Sequence, residues 1–329
     1  MAIKKKEKIV NPVKSLKGVE REYRKQLNLL GKFMIEEIKN ELLPFLKSQE
    51  PAYVLDGSQD AIKALFKRID KRFKSINDYE YNYNEPKDSK SVYLFDWLDS
   101  VSEMLTDSRQ RLSQIKDNIG TEINNIFNRL NFKFKGNIVA GFSRTSAESM
   151  VNQTIKKNKK RFDRALRGAT GIDMSQVVAS EGLEDFISLS VSKNVSLIES
   201  LPAEYLKQVE VIVNNGVVSG ARYSTIAKEI QKGANKELAG RIKTIAMNEV
   251  QTINAQINVR RSEALGITEG IYRTSEDERV RPCHKQLNGK RFKLDQGAWS
   301  SKCQKYIIPG VTDINCRCTY SPIIEVEGV

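Results

Sequence analysis

Apolar residues return every three or four positions over most of this chain. From Val19 to Ser48 the residues Tyr23, Leu27, Leu30, Met34, Ile38 and Leu42 make one stripe, the period of a helix with a buried face. Ser58 to Ile76 repeats the pattern through Ile62, Leu65, Ile69, Phe73 and Ile76, with Ser58 or Asp60 as N-cap. Residues 77–91 are polar, with Asn, Pro and Ser, and read as a surface loop. From Tyr93 to Leu130 a longer stripe runs through Leu94, Leu98, Val101, Leu105, Leu112, Ile115, Ile119, Ile123, Ile126 and Leu130. Such spacing suits an antiparallel bundle or a coiled-coil seam, and Gly120 weakens it without forbidding helix.

The stretch 136–149 predicts a break and a restart, with Ser143 or Thr145 as cap. Residues 167–173 (RGATGID) predict a turn. Its glycines are not a phosphate loop, because no Lys-Ser/Thr follows. From Glu181 shorter helices are expected. One opens at Pro202 and ends near Gly216 or Gly220; the next is capped by Ser224 or Thr225 and stopped by Gly233. A long helix over 237–265 is closed by Gly266. The texture then changes: residues 270–276, 288–294 and 316–326 read as strands. The expected fold is mainly α: an elongated helical N-terminal body with long amphipathic helices, plus a small C-terminal α+β module. The expected divisions are a basic tail (1–18), a helical body (19–200, breaking near 136–145), and a terminal domain (201–329) holding the α+β module at 267–329.

Charge adds a partner. The 329 residues carry a net charge of +13, concentrated in three runs. Residues 1–17 hold six lysines against Glu7, residues 155–167 seven basic side chains against Asp163, and residues 279–305 eight against Asp295. The candidate phosphate contacts are Lys156, Lys157, Lys159, Lys160, Arg161, Arg164 and Arg167, with Arg279 and Arg281. Without aromatic interleaving or finger spacing, contact with the nucleic-acid backbone is expected rather than base readout. No apolar run approaches bilayer length, so no membrane partner is expected. The start MAIKKKEKIV lacks an apolar stretch after its lysines, so the expectation is no secretory signal and folding in a reducing cytosol, where structural disulfides are uncommon.

Every cysteine and the sole histidine fall between 283 and 318. Soft and borderline donors gathered this way suit Zn²⁺, and a small module gains from such a staple. The candidate ligands are His284, Cys316 and Cys318, with Cys283, Cys303 or Asp313 as the fourth. A disulfide or buried reduced thiols fit the same residues. If 316–326 is a strand, Cys316 and Cys318 share a face. Adjacent Cys283 and His284 project in different directions, so both cannot easily reach one ion. Two enzyme readings compete: a thiol enzyme pairing Cys316 or Cys318 with His284, and a metal-dependent nuclease built on Asp277, His284 and Asn315. Neither has the usual paired-histidine or neighbouring-base signature, and no catalytic residue is assigned.

The stretch YRTSEDERVRPCHKQLNGKRF (272–292), followed by IIPGVTDINCRCTYSPII (307–324), resembles the C-terminal domain of the phage Mu F-like minor head proteins, also called phage head morphogenesis proteins. The matching positions are Thr274, Asp277, Arg279-Val280-Arg281-Pro282, His284, Leu287, Gly289, Pro309 and Asn315-Cys316-Arg317-Cys318. Ala227, Ile230, the run 241–256, Ala264 and Gly266 look like the family's lead-in helices, so the resemblance covers about residues 210–326. Relatives often carry a His where Asp313 stands. The resemblance implies a virion protein present in few copies inside the capsid near the portal vertex, passing through the host cytoplasm during assembly; no catalytic role is carried over from it, and the expectation is a protein that is not an enzyme. Its implied partners are the portal protein, a major capsid or scaffold protein, and packaged DNA held through its phosphates.

Overall fold

The computed structural model describes residues 5–54, 110, 113–114, 117–171, 173 and 182–327. The expected helix 58–76, the loop 77–91 and most of the stripe before 117 lie outside the described residues. The fold is mainly α with a small β-containing C-terminal part. Strand β1 is Lys5–Ile9. Helix α1, Lys17–Glu37, passes through a π-helical turn at Ile38–Leu42 into α2, Leu43–Val54. Helix α3 covers 117–135. Helices α4 (Asn137–Thr170), α5 (Glu184–Val218), α6 (Tyr223–Lys232) and α7 (Ala234–Ala264) follow. Then come β2 (Glu269–Arg273), the single turn α8 (Pro282–Lys285), β3 (Arg291–Lys293), β4 (Ala298–Ser300), β5 (Lys305–Ile307) and β6 (Thr319–Glu327).

The chain divides into two compact units. One contains residues 1–33, 135–201 and 237–329; the other contains 34–134 and 202–236. The first unit holds an antiparallel sheet in the order β1-β6-β2-β3 and a separate β4-β5 hairpin. The stretch expected as a basic tail supplies β1, which pairs Lys5 to Glu327 and Ile9 to Ile323. Arg291 fastens it by reaching both Glu7 and Glu269, and Val10 and Val13 enter the core behind it. That core also takes Phe162 and Leu166 of α4, Tyr272, Leu287, Phe292, Tyr320 and both cysteines of the Cys-Arg-Cys run. Helices α1, α5 and α7 are joined by polar contacts: the Tyr23 hydroxyl donates to Asn194 (3.1 Å), and Lys193 donates to buried Glu249 (3.1 Å).

In the second unit, Lys133 of α3 bonds Glu37 (2.8 Å) and Glu41. Gly216 of α5 lies against α6, where a Cβ would sit 2.5 Å from Ile226 Cγ1. Gly216→Val is therefore expected to cost about 2 kcal/mol through overpacking. Gly141→Val, where nothing lies within 4 Å, is expected to stay within about 0.5 kcal/mol. Urea unfolding of the two variants checks the pair.

The helix ends differ from expectation in three places. The break at 136–149 shrinks to Gly136, which is extended (φ −68°, ψ 167°) and opens α4. Ser143 and Thr145 cap nothing: their hydroxyls donate back to Val139 and Gly141 carbonyls inside the helix. Pro202 lies within α5 rather than opening a helix. Pro lacks an N–H, but Ile198, Leu201, Tyr205 and Val209 are buried on both sides of it, and packing holds the helix through the gap. Ser224 and Thr225 sit inside the first turn of α6, whose N-cap is Arg222. No described helix is long and apolar enough to cross a membrane.

Candidate metal centre

Three segments of the first unit converge on His284. The first is α8, where Pro282 supplies the fixed φ of a first helical residue. A disulfide from Cys283 to Cys303 pins this turn from one side, and the Ser300 hydroxyl donates to the Cys283 carbonyl (3.1 Å). Cys283 therefore points away from its neighbour, and neither it nor Cys303 joins the cluster around His284. The disulfide also departs from the expectation set by a reducing cytosol. The second segment is 313–318. Cys316 and Cys318 do not lie in the last strand, which begins at Thr319, so strand alternation is not what places them together. They follow a tight turn in which Gly310 (φ 79°) and Asn315 (φ 59°) take left-handed conformations. A Cβ at Gly310 would lie 2.8 Å from Ala255 Cβ, and the Asn315 N–H donates to Asn248 (2.8 Å), so the turn is seated on α7. The third segment is β2, whose inward residue Tyr272 is fully buried.

His284 Nδ1 lies 3.4 Å from Cys316 Sγ, 3.5 Å from Cys318 Sγ and 3.1 Å from the Tyr272 hydroxyl. Nε2 faces Asp313 Oδ2 at 2.8 Å, and Lys305 donates to the other oxygen of Asp313 at 2.6 Å. Asp313 thus touches the ring nitrogen opposite the sulfurs. It orients the histidine and is not placed as the fourth ligand. Tyr272, which the sequence reading did not single out, lies on the Nδ1 side of the ring together with the two sulfurs. The signal for it was the alternation of the strand over 270–276, which aims Tyr272 inward.

The hydrogen bond from Cys318, with a further one from His284, holds the Cys316 thiol well below its usual range despite burial. The same contact with Cys316, together with burial, pushes Cys318 up. His284 is raised by its bond to Cys316, against the effect of burial. Burial would raise Asp313, but Lys305 and His284 outweigh it and hold the carboxyl below its ordinary value. The cluster favours negative sulfur beside a histidine held by a carboxylate. Beside it opens a cleft of about 270 Å³ lined by Met247, Ser275, Arg279, Arg281, Asn315 and Arg317. Asp277 pairs with Arg317 and caps the Arg279 N–H, which occupies the carboxylate that a nuclease reading would use.

The basic residues fall in two places. Lys156, Lys157, Lys160, Arg161, Arg164 and Arg167 are exposed on α4, and Lys159 is half-buried. Arg161 is committed to the carbonyls of Lys14 and Ser15, and Arg167 to Asp173. Lys156, Lys157, Lys160 and Arg164 carry no ion pair among the described residues. Arg279 and Arg281 are exposed at the cleft, where Arg281 donates to the Ile314 carbonyl (2.9 Å).

Two curated relatives share part of the sequence. An uncharacterized protein of Haemophilus influenzae is 29% identical over 180 residues, covering 54% of this chain and 39% of its own length. An uncharacterized protein of Methanocaldococcus jannaschii is 28% identical over 121 residues, covering 37% of this chain and 18% of its own. The chain therefore spans well under half of either relative. No solved structure matches it. The family model described as Phage Mu protein F like protein matches residues 207–321, the stretch that contains Tyr272, His284, Asp313, Cys316 and Cys318. Residues 207–321 are thus similar to the phage Mu protein F like family, the family whose motifs the C-terminal region resembles.

Proposed function

We propose that this chain is a minor head protein of a phage, acting in head morphogenesis at the portal vertex and lying against packaged DNA. The observation that carries the reading is the family match over residues 207–321. Its partners in this reading are the portal protein, a major capsid or scaffold protein, and DNA. It sits in the capsid interior after assembly in the host cytoplasm. Mass spectrometry of purified virions tests it directly: the protein is expected among the low-copy components and to co-purify with the portal ring. Its absence from virions overturns the proposal.

The α4 face supports the DNA contact. Lys156, Lys160, Arg164 and Arg167 recur at steps of four, four and three, opposite the buried residues Val151, Thr154, Asn158, Phe162 and Leu166. At 1.5 Å per residue this stripe is roughly 16 Å long. A duplex strand carries one phosphate per ~3.4 Å of axis, so the stripe can face several. The triple change Lys156→Ala, Lys160→Ala and Arg164→Ala is expected to weaken duplex binding equally for unrelated sequences. It should also flatten the plot of log affinity against log salt by about 2 to 3. Anisotropy titrations at several salt concentrations measure both; an unchanged slope removes this face from the DNA contact.

The enzyme alternatives fare less well. Cys316, His284 and Asp313 stand in the order of a nucleophile, base and orienting acid. Yet Cys316 and His284 are only 4% and 1% exposed, and Cys318 and Tyr272 crowd the same nitrogen. This favours a binding centre over an accessible nucleophile.

A further inference from the structure

We propose that His284 Nδ1, Cys316 Sγ and Cys318 Sγ bind one Zn²⁺ ion, with the Tyr272 hydroxyl at the fourth vertex and Asp313 as the carboxylate that orients the histidine.

A ring nitrogen has one proton or one lone pair, yet Nδ1 has three polar neighbours within 3.5 Å. One hydrogen bond satisfies one of them; a cation at their centre satisfies all of them together. Asp313 decides which form the ring takes. A proton on Nε2, facing the Asp313 carboxylate at 2.8 Å, leaves the Nδ1 lone pair directed at the sulfurs once a cation sits there. A carboxylate behind a ligating histidine is the arrangement metal sites use to fix the ring and raise its basicity.

The three separations from Nδ1 match the edges of a tetrahedral site. With Zn–S of about 2.3 Å and Zn–N of about 2.0 Å, adjacent N and S ligands stand ~3.5 Å apart. The two observed N···S separations are 3.4 and 3.5 Å. An oxygen ligand at about 2.0 Å would stand ~3.3 Å from the nitrogen. The Tyr272 oxygen stands at 3.1 Å. The donor atoms of His284, Cys316 and Cys318 all lie within 4.8 Å of one another. Two thiolates and an imidazole select zinc over magnesium or calcium. All four side chains are buried, which is the character of a structural ion. The ion would join β2, α8 and the approach to β6, elements that are otherwise short. This proposal rests on the geometry alone and stands whether or not the chain is a head protein.

Full-length protein, purified without chelator or added thiol, is expected to contain one zinc per chain by elemental analysis. Protein loaded with Co²⁺ should show intense near-ultraviolet thiolate-to-cobalt absorption, with visible bands of a four-coordinate ion. Tyr272→Phe is expected to keep the thiolate absorption and shift the visible bands. Asp313→Ala is expected to keep the ion but weaken it 10- to 100-fold in competition with a chromophoric chelator. Cys316→Ser and His284→Ala should lose the ion; because either variant can fail to fold, the wild-type zinc content and cobalt spectrum carry the decision. Folded wild-type protein with only trace zinc, and no thiolate absorption on adding Co²⁺, overturns the site. Unshifted visible bands in Tyr272→Phe overturn the fourth ligand alone.

Discussion

Asn158→Ala is expected to destabilise the protein by about 3 kcal/mol, measured as a fall in the urea midpoint at unchanged slope. Asn158 is fully buried in the middle of α4. Its amide nitrogen donates to the Asn254 side chain (2.8 Å) and the Asn258 side chain (2.7 Å), with the Asn254 carbonyl sharing one of these protons at 3.2 Å, all on α7. Its oxygen accepts from Arg261, which is 1% exposed. Alanine removes the hub, leaves two buried amide oxygens short of a donor and takes one acceptor away from Arg261. Each stranded group costs about 1–3 kcal/mol, more where charge is involved. The loss of packing is small by comparison. A cost below about 1 kcal/mol would mean that water enters and replaces the asparagine.

Reduction of the Cys283–Cys303 disulfide is expected to cost about 3 kcal/mol. The two cysteines are 20 residues apart, and closing a loop of that length in the unfolded chain accounts for a penalty of this size. The loop holds α8, β3 and β4, so reduction should be felt first at the His284 turn. Unfolding curves with and without reductant, repeated on Cys303→Ser, give the measurement. The variant should unfold like the reduced wild type and show no further response to reductant. A persistent response would place the sensitivity at Cys316 and Cys318 instead.

The helical plan was legible because it depends on near neighbours. The stripe Tyr23, Leu27, Leu30, Met34, Ile38 and Leu42 is buried along its whole length, as its spacing required. Gly171, Gly220 and Gly266, at positive φ, end helices near where the sequence places their ends. The failures are places where distant packing outweighs a local signal. Pro202 reads as a start because it lacks an N–H, yet buried residues on either side carry the helix through it. Ser143 and Thr145 read as caps, but helix on both sides lets their hydroxyls bond the previous turn.

The sequence by itself determined the character of this protein: long amphipathic helices, a small strand-bearing terminus, and all its thiols and its only imidazole gathered there. It also carries the match of residues 207–321 to the phage Mu protein F like family, since short motifs in fixed order are read without any knowledge of contacts. Only the tertiary structure decided which of those residues meet. Cys283 and His284 are neighbours, yet one turns to Cys303 and the other to Cys316, because successive residues of a helical turn point about 100° apart. Tyr272, 12 residues before His284, enters the centre because the pairing of β2 with β6 sets it across from Tyr320. Asp313 becomes the histidine's support through a turn that seats on α7, and Lys5–Ile9 joins the last strand across nearly the full length of the chain. These contacts are fixed by folding many residues together, and no local spacing encodes them.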